Sequence, residues 1–426
     1  MRFQTDVRSP REPTSPWIVA QLGAREHYAI PRSLLGAGER VQLITDCWNA
    51  QPTSRWVPAR FRNRTHVDIP RDAVTPFSSS LLRFEALSRL LRRRGWPLIE
   101  ARNNWFDERA AARVHRIAEG QPRGVLFAYS YAARRTLAAA RQAGWRTLLG
   151  QIDPGPLEWQ LVQARRREAG LAPEAEPSAT YWDSWREECD LADMILVNSE
   201  WSREALHEQG IPRGKIRVVP LAYEGSGQDG DRSGTTGAAF TSARPLQVLF
   251  LGQVIVRKGI LEILGAIDRL AGAPVVWTFA GGGEASLLEK LRQRPQVRVL
   301  GPVLRQEAGL HYRAADIFLL PTHSDGFAIT QLEAAAHGLP IIASDRCGTV
   351  VQDGVNGVVL QSITAEAISE AVSSFLDNPR QLVDFRTEQQ RLPIRKLADL
   401  AADLVRIGRE IPGPDSASIT KIHVDC

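Results

Sequence analysis

The chain has 426 residues, 43% of them apolar, and a formal net charge of +5 at pH 7. That length exceeds one ordinary core, so two domains of roughly 200 residues each are expected, and the lack of any apolar run of about 18 residues excludes a spanning helix. Cys47, Cys189, Cys347 and Cys426 form no CxxC pair and have no histidine at zinc spacing, so no metal site is expected and the cysteines read as reduced thiols.

Only five of the 53 basic residues are lysine, and the arginines run along the whole chain. The small positive charge therefore does not read as a nucleic-acid footprint. It is compatible with peripheral contact with an anionic membrane. The expected location is cytoplasmic, with the inner face of the membrane as the peripheral variant.

Residues 1–16 have no apolar segment and read as a disordered lead rather than a signal peptide. Residues 17–22 (WIVAQL) read as a buried strand. A polar loop, Gly23-Ala24-Arg25-Glu26-His27, precedes a helix to Leu35, and 41–45 (VQLIT) is the next strand. Residues 51–76 are rich in Pro, Arg and Thr and show no periodicity. Residues 80–94 predict an amphipathic helix with Leu81, Phe84, Leu87, Leu90 and Leu91 on one face; Arg92, Arg93 and Arg94 close it and complement its dipole. Strands at 125–129 and 147–152 flank a helix at 132–143. Strands at 194–197 and 216–219 flank a helix at 202–209. Together 17–223 make a first domain. Gly, Ser and Asp dominate 224–237, so 224–244 reads as a flexible linker.

The second domain, 245–393, alternates more cleanly. Strands are expected at 246–252, 275–280, 297–300, 317–321 and 341–343, and helices at 259–270, 284–293, 306–314, 330–337 and 365–376. That alternation means a doubly wound parallel sheet, whose ligands sit beyond the carboxyl ends of the strands. A last helix, 394–411, is expected to pack back on the first domain, with a tail at 412–426.

The polar residues of this half collect at those strand ends. In 321–356, Asp325 follows a strand. Gly326 would let the backbone come close to a ligand, and Phe327-Ala328 lead into a helix starting near Ile329 or Thr330. Unpaired N–H groups at that helix start suit a diphosphate. Glu333 follows Asp325 by eight positions and is expected in the first turn, which would put two carboxylates beside one anion site. The helix closes at Gly338, two residues before Pro340. A second run, Gly252-Gln253-Val-Ile-Val-Arg257-Lys258-Gly259, sets two cations at a helix start, where only a visiting anion makes them favourable. A third, Gly281-Gly282-Gly283, permits a tight turn after a strand.

These three runs resemble the retaining GT-B glycosyltransferases of family 4. The resemblance implies an α/β fold of GT-B type: two Rossmann-like doubly wound parallel-sheet domains facing across a cleft. It implies transfer of a sugar from a nucleotide diphosphate sugar to an acceptor hydroxyl with retention and without metal or cofactor. Glu333 would contact the ribose and Asp325 the transferred sugar. Lys258 would hold the diphosphate, with Arg257 restoring the charge lost where Gln253 stands in place of the usual arginine. Lys258, Asp325 and Glu333 are thus the expected catalytic set. Gly281, Gly282, Gly283, Pro302, Val303 and the 326–330 backbone (Gly326, Phe327, Ala328, Ile329, Thr330) complete the donor site.

The match thins in the first domain. Gly23, Arg25 and His27 after the first strand are the expected acceptor contacts. Ser130 or Tyr131 stands where many relatives carry a histidine, and Asp153 is either an acceptor contact or a turn former. The acceptor class, whether glycan, lipid-linked or small molecule, stays open. Two other readings remain: a non-catalytic sugar-nucleotide binder, and a sugar-nucleotide epimerase of the same architecture.

Overall fold

A computed structural model describes residues 15–49, 61, 64–225 and 237–411. Most of the expected lead, the middle of the expected linker, and the expected tail with Cys426 lie outside the described residues. The chain divides into two compact units. One takes residues 1–150, 176–195 and 401–426; the other takes 151–175 and 196–400. Segments 151–175 and 196–223 thus group with the second unit, although they precede the expected linker.

In chain order the first elements are β1 (Trp17–Gln21), α1 (Ala29–Gly36), β2 (Val41–Thr45), β3 (Val74–Pro76), α2 (Ser78–Leu90), α3 (Trp96–Ala118), β4 (Val125–Tyr129), α4 (Arg134–Gln142) and β5 (Arg146–Gly150). Next come α5 (Pro156–Glu168), α6 (Ala179–Leu191), β6 (Met194–Val197), α7 (Glu200–Glu208) and β7 (Ile216–Val218). The first sheet has seven strands in the order β3-β2-β1-β4-β5-β6-β7, and β1 pairs in parallel with both β2 and β4. β1 and β4 are buried along their whole length, as apolar runs in a parallel sheet require.

α4 begins at an alanine without a side-chain cap of its own. Its exposed amides are satisfied from neighbouring helices. Asp107 of α3 accepts from the amides of Arg135 (2.8 Å) and Thr136 (2.9 Å), and the buried Glu188 of α6 accepts from those of Tyr131 (2.6 Å) and Ala133 (2.8 Å). Burial pushes the Glu188 carboxyl up to about 8 against those hydrogen bonds.

The expected face of α2 is corrected. Leu81 and Phe84 are buried, but Leu87, Leu90 and Leu91 are exposed. The inward face is completed by Glu85 and Ser88, because α2 docks on α3 through the Glu85–Arg102 ion pair (2.6 Å) and the Phe84–Trp105 ring contact (5.3 Å).

The later elements are β8 (Leu246–Leu251), α8 (Ile260–Arg269), β9 (Val275–Ala280), α9 (Ala285–Arg292), β10 (Val297–Gly301), α10 (Arg305–Ala314), β11 (Ile317–Leu320) and α11 (Ile329–Ala336). They end with β12 (Ile341–Ser344), β13 (Gly357–Leu360), α12 (Ala365–Asp377), α13 (Arg380–Arg391) and α14 (Leu397–Glu410). The six-stranded second sheet runs β10-β9-β8-β11-β12-β13, with every neighbouring pair parallel. Strand order reverses between β8 and β11, and at such a switch point the carboxyl ends of two adjacent strands leave an open crevice. The core is the sandwich of Val248, Phe250, Phe279, Phe318 and Ile342 from the strands with Ile263, Ile267, Val372 and Phe375 from α8 and α12.

The residues 401–411 of α14 and its end lie in the first unit. Arg146 donates to the Gly408 carbonyl at 2.5 Å, and a Cβ at Gly408 would meet the Trp17 ring at 2.6 Å.

Candidate functional site

The loops leaving β8 and β11 are tied together before any side chain is considered. After β8 the chain makes a short 3-10 turn, Val256–Lys258, and enters α8 through Gly259 at φ +74°. A Cβ there would lie 2.1 Å from the Pro321 carbonyl oxygen, so the strain and the contact both require glycine. The Arg257 carbonyl accepts from the His323 amide (2.8 Å) and the Thr322 hydroxyl (3.0 Å). The backbone thus places Arg257, Lys258 and Asp325 at the switch point.

Their side chains meet. The Lys258 ammonium forms an ion pair with Asp325. The Arg257 guanidinium lies 3.6 Å from the other Asp325 oxygen, donates to the Ser324 carbonyl at 2.8 Å and reaches Glu158 of α5 at 3.4 Å. Ser324 donates its hydroxyl to Glu158 at 2.6 Å and accepts from the Trp201 indole at 3.0 Å. The Arg346 guanidinium sits 4.8 Å over the Trp201 ring. Lys258, Glu158 and Asp325 are each no more than 15% exposed, so these pairs are weakly screened.

The two carboxylates titrate in opposite directions. Burial works to raise Asp325, but Lys258 and Arg257 outweigh it and hold the carboxyl below its usual range. At Glu158 burial, helped by Asp153, outweighs Arg257 and pushes the carboxyl up to about 7. Glu158 and its partner Ser324 were not among the expected site residues. Nothing in the local pattern around 158 signals them, since the contacts span 99 and 166 positions.

α11 is preceded by Ala328, whose backbone is extended and which supplies no side-chain cap. Gln331 donates to the Cys347 carbonyl at 2.8 Å, anchoring the first turn. Glu333 is corrected in position: because the helix begins at Ile329, it stands in the second turn. Its carboxylate accepts from the Tyr312 hydroxyl at 2.8 Å. The Tyr312 ring stacks on His337 (5.0 Å), whose Nδ1 is 2.8 Å from the Glu333 carbonyl. Among the described residues Glu333 makes no ion pair with Lys258 or Arg257; the geometry joins Lys258, Arg257 and Asp325 and sets Glu333 apart on its own tyrosine. The helix ends on Gly338 at φ +67°, with the Leu339 amide donating back to Ala334 (3.0 Å).

The glycines also have a cause in the protein's own packing. A Cβ at Gly326 would stand 2.3 Å from the Ile152 carbonyl oxygen; at Gly281 it would meet the Gly252 carbonyl at 1.8 Å, and at Gly283 that of Val254 at 2.1 Å. Backbone of the protein itself already occupies those directions. At Gly282 the Cβ direction faces Pro302 at 3.4 Å. Gln253 and Pro302 are exposed, and Phe327, Ile329, Thr330 and Val303 are half-buried.

In the first unit the switch point falls between β1 and β4. The Gly23 amide donates to Asp46 at 3.0 Å. Arg25 lies 5.3 Å over the Tyr129 ring, and the Tyr129 hydroxyl donates to Glu26 at 3.2 Å. Glu26, His27 and Tyr28 occupy left-handed backbone in succession, at φ 48°, 48° and 63°, a strained turn that persists only where its surroundings over-determine it. Ser130 is buried, its amide donating to the Gly150 carbonyl. Asp153 belongs to the second unit and shapes a turn, accepting from the Gly155 amide at 2.9 Å.

Residues 245–378 match the family model described as glycosyl transferases group 1. The D-inositol 3-phosphate glycosyltransferase of Rhodococcus erythropolis is 28% identical over 218 residues, 47% of this chain and 49% of that protein. The enzyme of the same name from Xylanimonas cellulosilytica is 28% identical over 255 residues, 55% of this chain and 61% of that protein. The chain thus spans about half the length of the curated relatives it matches. Among solved structures, sucrose-phosphate synthase from Thermosynechococcus elongatus superimposes with a TM-score of 0.61 at 16% identity, covering 93% of this chain and 98% of that one. Anabaena Alr3699/HepE in complex with UDP and glucose gives 0.59 at 13% identity, covering 93% and 100%. Likeness of this kind speaks for the fold, which is GT-B.

Proposed function

The chain belongs to the group 1 glycosyltransferases through residues 245–378 and has the GT-B fold, and on that premise we propose that it transfers a sugar from a nucleoside-diphosphate sugar to an acceptor hydroxyl. The observation that carries the reading is the pair of cations, Lys258 and Arg257, gathered on Asp325 at the β8/β11 switch point. Cleaving the bond between the anomeric carbon and the diphosphate builds negative charge on the leaving oxygen. Two preorganised cations and the uncapped start of α11 stabilise that charge without a metal. As the diphosphate draws Lys258 and Arg257, the Asp325 carboxylate is released to accept from a sugar hydroxyl. Glu333, oriented by Tyr312, accepts from the ribose.

In this reading the new bond forms on the face the diphosphate leaves, with retention, and a phosphate oxygen takes the acceptor proton. The acceptor side falls to Gly23, Arg25, His27, Ser130 and Asp153. UDP is the first nucleotide to test, because Anabaena HepE was solved with it. A non-catalytic binder would bind the diphosphate and release none from a donor. An epimerase would turn over the donor without an acceptor.

The test is thermal stabilisation by UDP, GDP, ADP and dTDP with and without magnesium, followed by nucleotide release from the matching sugar donors. One diphosphate is expected to bind without magnesium, and Glu333→Ala to weaken it by more than about tenfold, the worth of a charged hydrogen bond. Binding by none of the four overturns the proposal.

A further inference from the structure

α2 turns its apolar side outward. Leu82, Leu87 and Leu90 are 61%, 51% and 79% exposed, and Leu91, just beyond the helix, is 52% exposed. At 3.6 residues per turn Leu82, Leu90 and Leu87 fall within an arc of about 140°, opposite the buried Leu81, Phe84, Glu85 and Ser88. Scattered exposed leucines need no explanation, but three on one outward face of a docked helix do.

The charge of the segment is one-sided. Arg83, Arg89, Arg92 and Arg94 are exposed and Arg93 half-exposed. None of the five has a carboxylate partner among the described residues. The one acid of the segment, Glu85, is buried and held by Arg102.

The end of the helix adds an independent sign. The Arg93 amide donates to the Ser88 carbonyl (3.0 Å) and the Arg92 amide to that of Arg89 (3.0 Å). This is the closure that ordinarily takes glycine at its left-handed position. Here Arg92 occupies it, at φ +52°. The backbone would be more relaxed with glycine, yet an exposed arginine stands there.

We propose that the outward face of α2 lies on a bilayer surface containing anionic lipid, the leucines entering the acyl boundary and the arginines meeting lipid phosphates. Charge complementarity selects this occupant. A second copy would bring five unpaired guanidinium groups against five others. Among the described residues no helix is long and apolar enough to cross a membrane, so the contact is peripheral.

The experiment is flotation of the full chain with vesicles of phosphatidylcholine alone and of phosphatidylcholine mixed with phosphatidylglycerol, at low and high salt. The chain is expected to float with the mixed vesicles, less so at high salt, and weakly with phosphatidylcholine alone. Leu82→Ser/Leu87→Ser/Leu90→Ser is expected to lower partitioning roughly a hundredfold with an unchanged thermal midpoint. Arg92→Gly separates a lipid role from a structural one: it should weaken partitioning about fivefold while raising the thermal midpoint. Three results overturn the proposal: no flotation with the mixed vesicles, wild-type partitioning by the triple serine variant, or self-association without lipid that the triple variant abolishes.

Discussion

Replacing Glu158 by glutamine changes one proton and little else. The amide keeps an oxygen for the Ser324 hydroxyl (2.6 Å) and for Arg257 (3.4 Å) and removes the charge. Burial holds the Glu158 carboxyl at about 7, against an ordinary value of 4.5, with Arg257 only partly offsetting it. The folded chain therefore grips this proton more tightly than the unfolded chain. The stability it contributes is full below about pH 4.5 and is lost as pH rises through about 7. At about 1.4 kcal/mol per tenfold change in proton affinity, the loss is up to about 3 kcal/mol, several degrees in thermal midpoint. Glu158→Gln has no such loss. Its midpoint should match wild type near pH 4 and exceed it by several degrees near pH 8, read by scanning fluorimetry across that range. Parallel pH profiles for the two proteins would refute the burial argument.

Lys258→Ala leaves the buried Asp325, among the described residues, with Arg257 at 3.6 Å as its one ion-pair partner. It should cost about 3 kcal/mol of stability, which Lys258→Ala/Asp325→Asn largely restores in denaturant titrations. The same single variant should lower nucleotide release by about a hundred- to a thousandfold, and an unchanged rate would remove its role at the diphosphate. Gly326→Ala sets a methyl 2.3 Å from the Ile152 carbonyl. It should lower the thermal midpoint by the equivalent of about 1–3 kcal/mol; a wild-type midpoint would show that glycine is not required there by packing.

Much of the fold could be read from runs of apolar residues. The strands at 125–129 and 194–197 have the expected bounds, because a strand buried on both faces reads as an unbroken apolar segment. Helices were harder. α3, α5 and α6 carry their buried positions, such as Trp105, Val162 and Trp185, among arginines and acids, so no stripe stands out. On α2 the apolar stripe was visible, but only Leu81 and Phe84 of it are buried and Leu87, Leu90 and Leu91 are exposed, since periodicity locates an apolar face and not what covers it. At the site, the motifs marked Lys258 and Asp325 as members of one donor pocket, but not the ion pair that joins them. Glu158, Ser324 and Trp201 were not marked, because only the folded chain brings α5 and α7 to that loop.

The two cations of the switch point are already occupied by the protein's own carboxylates. Any anion that enters must displace Asp325 and Glu158, so the resting ion pairs set a cost that its own contacts have to offset.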